Sequence, residues 1–371
     1  MLKHIYIDNY RCLVNFELDL NSINLFLGAN GSGKSTVFEV LHKIQAFASG
    51  NEKVAVLFGR EDCTRWQNIL LQNFELEIAG NGGTYKYELT VEHEQDSHRA
   101  RVKRERLWFN KAALLEFEMG MAQLYHDDHK KGPQYPFDWT QSAVATIQPR
   151  KDNKKLTWFK ERLSRLMIVQ LNPFTVSKDS KQEEKRPSRS MDNYVSWFRH
   201  LSQEYQGRIF ELTGDLRKIL DGFDSFRLAE AGEEYRTLRL LFSGSRNGKD
   251  EVEYGFQELS EGQRALIILY TLIYCTRDLE FTLCIDEPEN FLVLPEIQPW
   301  LVSLYDHCNE GRLQALLISH HPEFIDYLAS TAGYWFDRQE GSGPVRVSRI
   351  QEDEKGGVAI SELIARGWLH E

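Results

Sequence analysis

The chain has 371 residues, carries a formal net charge of −10 and is 42% hydrophobic, which is ample for a buried core. Its longest purely apolar stretches, near Ala265 to Cys275, are far too short to cross a bilayer, and its first residues lack the apolar run of a signal peptide. These features argue against a membrane or exported protein and predict a cytoplasmic chain, folded as one large two-lobed domain or two ordinary ones.

Five cysteines are spread along the chain without a Cys-x-x-Cys pair, and several lie in apolar segments. An odd number does not suit a complete set of disulfides. We therefore expect reduced core thiols rather than disulfides or zinc ligands at Cys12, Cys63, Cys275, Cys284 and Cys308.

The run Gly28-Ala-Asn-Gly-Ser-Gly-Lys-Ser35 matches a phosphate-binding P-loop. Ile23 to Leu27 predicts a buried strand before it, and Val37 to Ile44 predicts a helix after it. The glycines let successive N–H groups point at phosphate oxygens, and the helix N-terminus adds partial positive charge. Lys34 is expected to reach the β- and γ-phosphates of ATP, and the Ser35 hydroxyl to bind Mg²⁺. The flanking strand and helix argue against a Gly/Ser-rich turn that matches by chance.

The following segments alternate in strand fashion and then become irregular. Phe74 to Ile78 and Thr84 to Val91 flank Asn81-Gly82-Gly83, which is a hairpin signal. An insertion from about 96 to 250 comes next, with helix-like stretches at Leu156 to Leu166 and Tyr194 to Leu220. It shows no sustained heptad repeat, so a long coiled-coil arm is not expected.

Positive charge is concentrated in two clusters, at 99–106 and 150–189. The second holds 12 Lys and Arg against 5 Asp and Glu, although the whole chain is acidic. Its part Lys178 to Ser190 has the composition of a mobile segment. Such a basic insertion could contact the phosphate backbone of DNA. A solvated face rich in lysine explains the same clusters equally well.

A long apolar helix is predicted from Glu261 to Cys275, with Ser260 as its capping residue. The free N–H groups at its start, with the Ser260 hydroxyl and Gly262, could bind a phosphate. The alternative is a plain Ser-capped core helix, which the segment is expected to be in either case.

An apolar strand is predicted at Glu280 to Ile285, directly before Asp286 and Glu287. The carboxyl ends of parallel strands are where open α/β sheets bind ligands. Asp286 is expected to hold Mg²⁺ through water, and Glu287 to polarise the attacking water. Taken alone, an acidic pair after a strand is more often a solvated loop.

A second such strand, Ala315 to Ile318, ends in Ser319-His320-His321-Pro322. A lone histidine is more often a surface or core residue than a catalytic one. Here its place one strand beyond the acidic pair favours a contact with the γ-phosphate, and His320 is preferred over His321. The chain then predicts strands at Tyr334 to Phe336 and Val345 to Ile350 and a short helix from Ser361 to Arg366.

In this order the motifs resemble the ABC-type ATPase heads of the SMC, RecF and OLD group, most closely stand-alone bacterial relatives without a Toprim nuclease domain. The resemblance spans nearly the whole chain. Asn9-Tyr-Arg11 is similar to the Asn-Phe-Arg element that opens these heads. Glu287-Pro-Glu289 and His320-His-Pro-Glu323 are similar to the Glu-Pro-Glu and His-Ser-Pro-Glu elements of the OLD branch.

The chain departs from the family pattern in two places. Asn290 to Pro295 lacks the usual Leu-His-Pro sequence, so no D-loop residue is assigned. The Q-loop glutamine is not located, and Gln72 and Gln148 are the two candidates.

The resemblance implies an α/β P-loop NTPase fold: an ABC-type head with a mixed sheet, flanking antiparallel strands and a helical lobe. Residues 1–95 would be the N-terminal part of lobe I with the P-loop, and 96–258 an inserted, partly basic helical lobe II. Residues 259–371 would supply the signature helix, the Walker B strand, the switch histidine and the completion of lobe I.

The resemblance also implies that Leu259 to Gln263 is a signature loop, which contacts ATP held by the P-loop of a second copy. ATP would then hold two heads together until hydrolysis. The implied catalytic residues are Lys34, Glu287 and His320, and the implied Mg²⁺ ligands are Ser35 and Asp286. The implied nucleotide contacts are Arg11, Asn30, Gly31, Ser32, Gly33, Lys34, Ser35, Thr36, Ser260, Gly262 and Gln263.

Three functions fit an ATPase of this kind, with ATP and Mg²⁺ as cofactors and a homodimer or larger homo-oligomer as its working form. The first senses DNA and controls a separate effector, a nuclease or toxin, in bacterial defence or DNA repair. The second is a scaffold whose ATP-bound dimer displays an interaction surface and turns over slowly. The third is the nucleotide-binding subunit of a transporter, against which the large insertion and the Glu-Pro-Glu and Asn-Tyr-Arg elements count.

Overall fold

A computed structural model of the protein describes residues 1–95, 99–243, 251–339, 343–350 and 358–367. The chain divides into two compact units. The first is Met1–Leu166 with Leu328–Val358, and the second is Met167–Tyr327 with Ala359–Glu371. The divisions predicted at 95/96 and 258/259 stay predictions, and residues 96–98 at the start of the expected insertion lie outside the described part.

The first unit begins with a run of strands interrupted by the helix that follows the P-loop. Its elements from the N-terminus are β1 (Leu2–Asp8), β2 (Phe16–Asp19), β3 (Ile23–Leu27), α1 (Lys34–Ala48), α2 (Val54–Leu57), β4 (Leu71–Gly80), β5 (Gly83–His93), β6 (Ala100–Phe109), β7 (Ala112–Glu118), β8 (Met121–Tyr125), β9 (Lys131–Pro136), α3 (Ala143–Thr146) and α4 (Lys154–Leu163).

The second unit alternates helices and strands before the chain returns to the first. Its elements are β10 (Leu166–Val169), β11 (Asp179–Ser180), α5 (Tyr194–Glu204), α6 (Gln206–Ile219), β12 (Phe223–Glu230), β13 (Arg236–Ser243), β14 (Glu251–Gly255), α7 (Glu261–Thr276), β15 (Thr282–Asp286), α8 (Leu294–Asn309) and β16 (Gln314–Ile318). Then follow α9 (Pro322–Ala332), which crosses the division between the units, β17 (Gly333–Arg338) and β18 (Val345–Arg349) of the first unit, and α10 (Ile360–Ala365) of the second.

An antiparallel sheet in the first unit has the strand order β2-β1-β4-β5-β6-β7-β8-β9. The predicted hairpin is confirmed: β4 and β5 pair up to Gly80 and Gly83, and Asn81 and Gly82 form the turn with φ of 50° and 78°. Both values suit a two-residue turn whose twist matches that of the strands, which is why Asn-Gly is favoured there.

The middle of the chain is less helical than expected. Residues 100–136 form β6 to β9 of the antiparallel sheet, and β12, β13 and β14 form a further antiparallel group in the second unit. The expected helix Leu156 to Leu166 is α4, and the expected helix Tyr194 to Leu220 is α5 and α6, separated at Tyr205. Antiparallel pairing of strands that follow one another in the chain therefore replaces part of the predicted helical lobe.

A buried carboxylate ties α3 to the antiparallel sheet. Glu105 of β6 accepts hydrogen bonds from the Ser142 hydroxyl (2.6 Å), the Ala143 N–H (2.6 Å) and the Tyr87 hydroxyl (2.8 Å). Its side chain is fully buried, and this burial raises the pKa of Glu105 above its ordinary value. The three donors compensate part of the cost of placing a carboxyl group in the core.

The P-loop strand β3 is buried along its whole length. Strand β17 pairs with it in parallel, with Gly333 opposite Leu25 and Trp335 opposite Leu27, and β18 pairs antiparallel with β17. The Phe26 ring packs 5.8 Å from Phe38 of α1 and 5.0 Å from Phe336 of β17. Burial of one such ring is worth about 1.5–3 kcal/mol, so the strand that leads into the P-loop is firmly anchored.

The core of the second unit is built on β15 and β16, which pair in parallel with Asp286 opposite Ile318. All residues of both strands are buried, and β10 lies beside β15. Helix α7 is buried continuously from Arg264 to Thr276. Both strands thus end at the same edge, with Asp286 and Ile318 as their last residues.

Cys12, Cys275, Cys284 and Cys308 are buried and Cys63 is partly exposed, and the reduced state of these thiols stays a prediction. Among the helices that the structure describes, none is both long enough and apolar enough to cross a membrane.

Candidate functional site

The P-loop follows β3 and curls through glycine conformations that other residues rarely adopt. Gly28, Gly31 and Gly33 have φ of 140°, 79° and 97°. A Cβ at Gly28 would lie 2.2 Å from the Phe336 carbonyl oxygen, so only glycine fits where the loop passes β17. Gly31 has no neighbour within 4 Å of such an atom, and its positive φ alone accounts for the residue.

The Lys34 ammonium reaches back across the loop. It donates to the carbonyl oxygens of Gly28 (2.7 Å) and Ala29 (3.0 Å) and to the Ser32 hydroxyl (3.4 Å), and the residue is only 6% exposed. A positive charge is therefore held inside the curve of backbone that the sequence predicted as a phosphate site. The loop residues Asn30 and Gly31 are exposed, as is Ser35, and Thr36 is partly exposed.

Arg11 lies in a charged network of the first unit. Its guanidinium donates to Asp62 (2.9 Å) and Glu39 (2.5 Å), and the Lys43 ammonium also bonds Asp62 (2.5 Å). The Tyr10 hydroxyl donates to Glu39 (3.0 Å). Because two carboxylates already bind Arg11, a nucleotide phosphate would have to compete with them, and the predicted contact of Arg11 stays a prediction.

The two candidate Q-loop residues lie in different surroundings. Gln72 is fully buried in β4, where its amide donates to the Asn9 carbonyl (3.2 Å) and its oxygen meets the His93 ring (2.9 Å). This position inside the sheet does not favour a nucleotide contact. Gln148 is exposed in the segment between α3 and α4.

In the second unit, the turn after β15 presents the predicted carboxylates. Asp286 is 8% exposed at the end of the strand. Glu287 adopts a left-handed conformation with φ of 51°, and its N–H donates to the Ile318 carbonyl (2.8 Å). The Asn290 side chain donates to the Glu287 carboxylate (2.8 Å) and so orients it. Strained backbone of this kind is often found at functional turns.

The turn after β16 is linked to this acidic turn through Glu289. The Glu289 carboxylate accepts from the Ser319 hydroxyl (2.6 Å) and the His320 N–H (3.3 Å). Burial raises the pKa of Glu289, and the nearby charge of Glu287 adds to the effect. The structure therefore brings Glu287 and His320, two of the predicted catalytic residues, onto neighbouring turns of one unit.

The two histidines of this turn differ in their surroundings. The His321 ring accepts from the Glu323 N–H (3.2 Å) and so caps the start of α9. His320 is exposed. His321 thus has a structural role at the start of α9, and the preference for His320 as the residue that contacts the γ-phosphate stays a prediction.

The predicted signature segment forms a capping box at the start of α7. The Ser260 hydroxyl accepts from the Gln263 N–H (3.2 Å), and the Gln263 side chain accepts from the Ser260 N–H (3.1 Å). Ser260 is exposed. A Cβ at Gly262 would lie 2.8 Å from the Phe291 carbonyl oxygen, so glycine is needed where the helix passes the segment after the acidic turn.

Several residues of these sites were not predicted. Glu39 and Asp62 bind Arg11, and Asn290 orients Glu287. Glu289 was recognised only as part of a family element. The partners of Glu39, Asp62 and Glu289 are distant in sequence or on a neighbouring turn, so no local spacing pattern indicated these three residues. Asn290 lies three residues after Glu287 in the same turn, but its type alone did not indicate the contact.

The first basic cluster is largely neutralised by acids on neighbouring strands. Arg101 and Lys103 of β6 bind Glu92 of β5 (2.7 and 3.1 Å), and Arg106 binds Glu118 of β7 (2.9 Å). The cluster at 99–106 is thus a face of cross-strand ion pairs, which favours the interpretation as a solvated surface.

The second basic cluster is divided between the two units, and part of it has structural partners. Lys160 donates to the carbonyls of Ala145 and Ile147 at the end of α3 (both 2.7 Å), and Arg162 is buried. Burial lowers the pKa of Lys160. The exposed cations of the segment in the second unit include Lys178, Lys185 and Arg186.

The groups present fit Mg²⁺ bound together with a nucleotide better than an all-protein metal cage. Among the described residues, no cluster of three or more His, Cys, Asp or Glu could hold a metal ion. Mg²⁺ in nucleotide sites typically has one or two protein ligands and takes the rest from phosphates and water. Ser35 of the first unit and Asp286 of the second each offer an oxygen of the required kind, and their binding of one Mg²⁺ stays a prediction.

Comparison with solved structures identifies the fold. An SmcHead structure bound to the C-winged helix domain of ScpA is 12% identical, covers 94% of this chain and 98% of that chain, and has a TM-score of 0.51. An Smc head domain with an extended coiled coil bound to the C-terminal domain of ScpA, derived from Pyrococcus furiosus, is 11% identical, covers 94% and 96%, and has a TM-score of 0.52. The predicted ABC-type, SMC-like P-loop NTPase fold is confirmed.

No curated protein matches the chain. Residues 23–326 match a family model described as "AAA domain, putative AbiEii toxin, Type IV TA system". Since the match covers well over half of the 371 residues and includes the P-loop, the signature segment, the acidic turn and His320, the chain belongs to this family of AAA-type ATPase domains.

Proposed function

We propose that the protein binds ATP with Mg²⁺, hydrolyses it, and pairs head to head with a second copy around the bound nucleotide. The observation that carries this proposal is the P-loop. Its three glycines have positive φ, and Lys34 is buried within its curve. A cation and several backbone N–H groups in so small a turn are suited to a chain of phosphates.

Each predicted residue has a role in this proposal. Lys34 neutralises charge on the β- and γ-phosphates. Ser35 and Asp286 are the expected ligands of Mg²⁺, which when bound would neutralise charge on the phosphates. Glu287, oriented by Asn290, polarises the attacking water, and His320 contacts the γ-phosphate.

The exposed start of α7 supports pairing. Ser260 is exposed and the three residues after it are partly exposed, so a phosphate held by a second copy could reach the start of the helix. ATP would then stabilise the pair through γ-phosphate contacts that ADP lacks.

The test compares the wild type, Glu287→Gln and Lys34→Ala with ATP and Mg²⁺. Glu287→Gln should bind ATP but not turn it over, and it should elute as a dimer whose mass is checked by light scattering. Lys34→Ala should bind ATP about 10–100-fold more weakly, because it loses a charge-assisted contact worth about 1.5–3 kcal/mol, and should stay monomeric. Lys53→Ala, at an exposed position of the same unit, serves as the matched control.

Two outcomes would contradict the proposal. If Glu287→Gln remains a monomer with ATP and Mg²⁺, head-to-head pairing is wrong. If Lys34→Ala binds ATP as tightly as Lys53→Ala does, the P-loop does not hold the phosphates.

For the biological role we propose control of a separate effector protein in bacterial defence or DNA repair, in a cytoplasmic setting. The family description names a toxin of a type IV toxin–antitoxin system, and both SMC head structures carry a bound ScpA domain. Glu287→Gln used as bait with ATP, and then with ADP, should capture the effector only in the ATP state.

An ATP-dependent scaffold with slow turnover is the second candidate. The exposed start of α7 favours it equally, because pairing needs no hydrolysis. Effector binding by Glu287→Gln that equals or exceeds that of the wild type supports the scaffold. Effector binding that requires turnover eliminates it.

A further inference from the structure

We propose that Glu289 is a positioning residue for ATP hydrolysis, because its carboxylate holds the turn that carries His320 in place against the turn that carries Glu287. This inference rests on the proposed ATPase activity and assigns a further residue to it.

The two turns meet at the end of a parallel strand pair. Asp286 of β15 lies opposite Ile318 of β16, and the Glu287 N–H donates to the Ile318 carbonyl (2.8 Å). Glu289 then bridges to the other turn, accepting from the Ser319 hydroxyl (2.6 Å) and the His320 N–H (3.3 Å) through one oxygen. The conformation of the His320 turn therefore depends on this side chain.

The bridge extends one residue further. The Ser319 hydroxyl, which is fully buried, accepts from the His321 N–H (3.1 Å). Glu289 thus fixes Ser319, His320 and His321 in succession. In the same turn as Glu289, Asn290 holds the Glu287 carboxylate, so one short segment sets the positions of the group proposed to polarise the water and of the group proposed to contact the γ-phosphate.

The stability of the folded state does not explain why a glutamate occupies position 289. Its second carboxylate oxygen is shielded from water and has no hydrogen-bond partner among the described residues. A buried acceptor left unsatisfied destabilises the folded state, and the nearby Glu287 charge adds repulsion. Groups kept at such a cost are most often those that function requires.

The experiment compares Glu289→Ala, Glu289→Gln and Ser319→Ala with the wild type, all as full-length chains. Glu289→Ala should lower kcat about 10–100-fold, as expected when a reacting group is misplaced by about 1 Å, with KM and ATP affinity changed less than about twofold. Glu289→Gln keeps an oxygen that accepts from Ser319 and His320, so it should restore most of kcat. Adding Ser319→Ala to Glu289→Ala should cause no further loss, because both remove the same bridge.

Two outcomes overturn the inference. Glu289→Ala with the kcat of the wild type removes the positioning role. A loss of kcat matched by a loss of ATP affinity and melting temperature, without rescue by Glu289→Gln, shows that the residue only supports the fold. Failure of the proposed function has a different signature, because wild-type turnover would then be no higher than that of Glu287→Gln, and the positioning role would fall with it.

Discussion

At the scale of single residues, Glu105 shows how the first unit accommodates a carboxyl group in its core. Three donors surround it, yet burial still raises its pKa above the ordinary value of 4.5. The folded chain therefore binds this proton more tightly than the unfolded chain does. The neutral carboxyl group of Glu105 therefore contributes its full stabilisation of the folded state below pH 4.5. This contribution is lost as the pH rises through the raised pKa.

We expect this pH dependence to disappear in Glu105→Gln. Urea unfolding of the wild type and the variant between pH 4.5 and 8 gives the free energy of unfolding of each. The difference should favour the wild type most at pH 4.5 and shrink with rising pH, because other titrating groups are common to both proteins. A difference that is constant across this range would contradict the prediction.

Residue roles could be predicted from the sequence only where the motif is local. Gly28 to Ser35 was identified because its spacing, a strand and a helix lie within some 20 residues. The bridge from Glu289 to Ser319 joins residues 30 positions apart. Such a contact exists only after β15 and β16 have paired, and no sequence spacing encodes it.

At the scale of elements, the start of α7 combines a stabilising cap with an exposed surface. Ser260→Ala removes the hydroxyl of the capping box and should lower the free energy of unfolding by about 1 kcal/mol. Ser260→Asp keeps a capping oxygen and suits the helix dipole, so its stability should stay near that of the wild type. Unfolding by denaturant measures both.

The variant Ser260→Asp should also distinguish the role of Ser260 as a helix cap from its proposed role in pairing. Its negative charge would repel a γ-phosphate held by a second copy, so Ser260→Asp in the Glu287→Gln background should remain monomeric with ATP. ATP-dependent dimers of that double variant, detected by light scattering, would show that the start of α7 does not meet the nucleotide.

Strand β6 shows why part of the fold was missed. Its buried residues are Ala100 and Val102 and then Glu105, Leu107 and Phe109, so the buried positions change from even to odd numbers. A register shift opposite Thr90 and Val91 of β5 causes this change. The alternation that identified β4 and β5 is thereby interrupted, and a charged residue occupies one of the core positions.

At the scale of the whole molecule, the distribution of charge decides where nucleic acid could bind. Arg101 and Lys103 are paired with Glu92, whereas Lys185 and Arg186 are exposed in the second unit. If DNA is the trigger, Lys185→Gln with Arg186→Gln should lower the number of counterions released on DNA binding by about two, which makes the affinity less dependent on salt. Arg101→Gln with Lys103→Gln is the matched control and should leave it unchanged.

Fluorescence anisotropy with labelled duplex DNA at several salt concentrations measures this slope. Equal effects of the two double variants would show that neither cluster is a specific contact. If neither DNA nor RNA binds at low salt or stimulates ATP turnover, the role in sensing nucleic acid is wrong.

The P-loop packs at Gly28 against the Phe336 carbonyl of β17, the strand that pairs with β3. Phe336 lies more than 300 residues after Gly28 in the chain. On the ribosome, Gly28 to Ser35 is therefore synthesised long before the strand that packs against it. A nascent chain that has not yet reached β17 lacks this contact, so we expect the P-loop to take its final shape only after β17 has paired with β3.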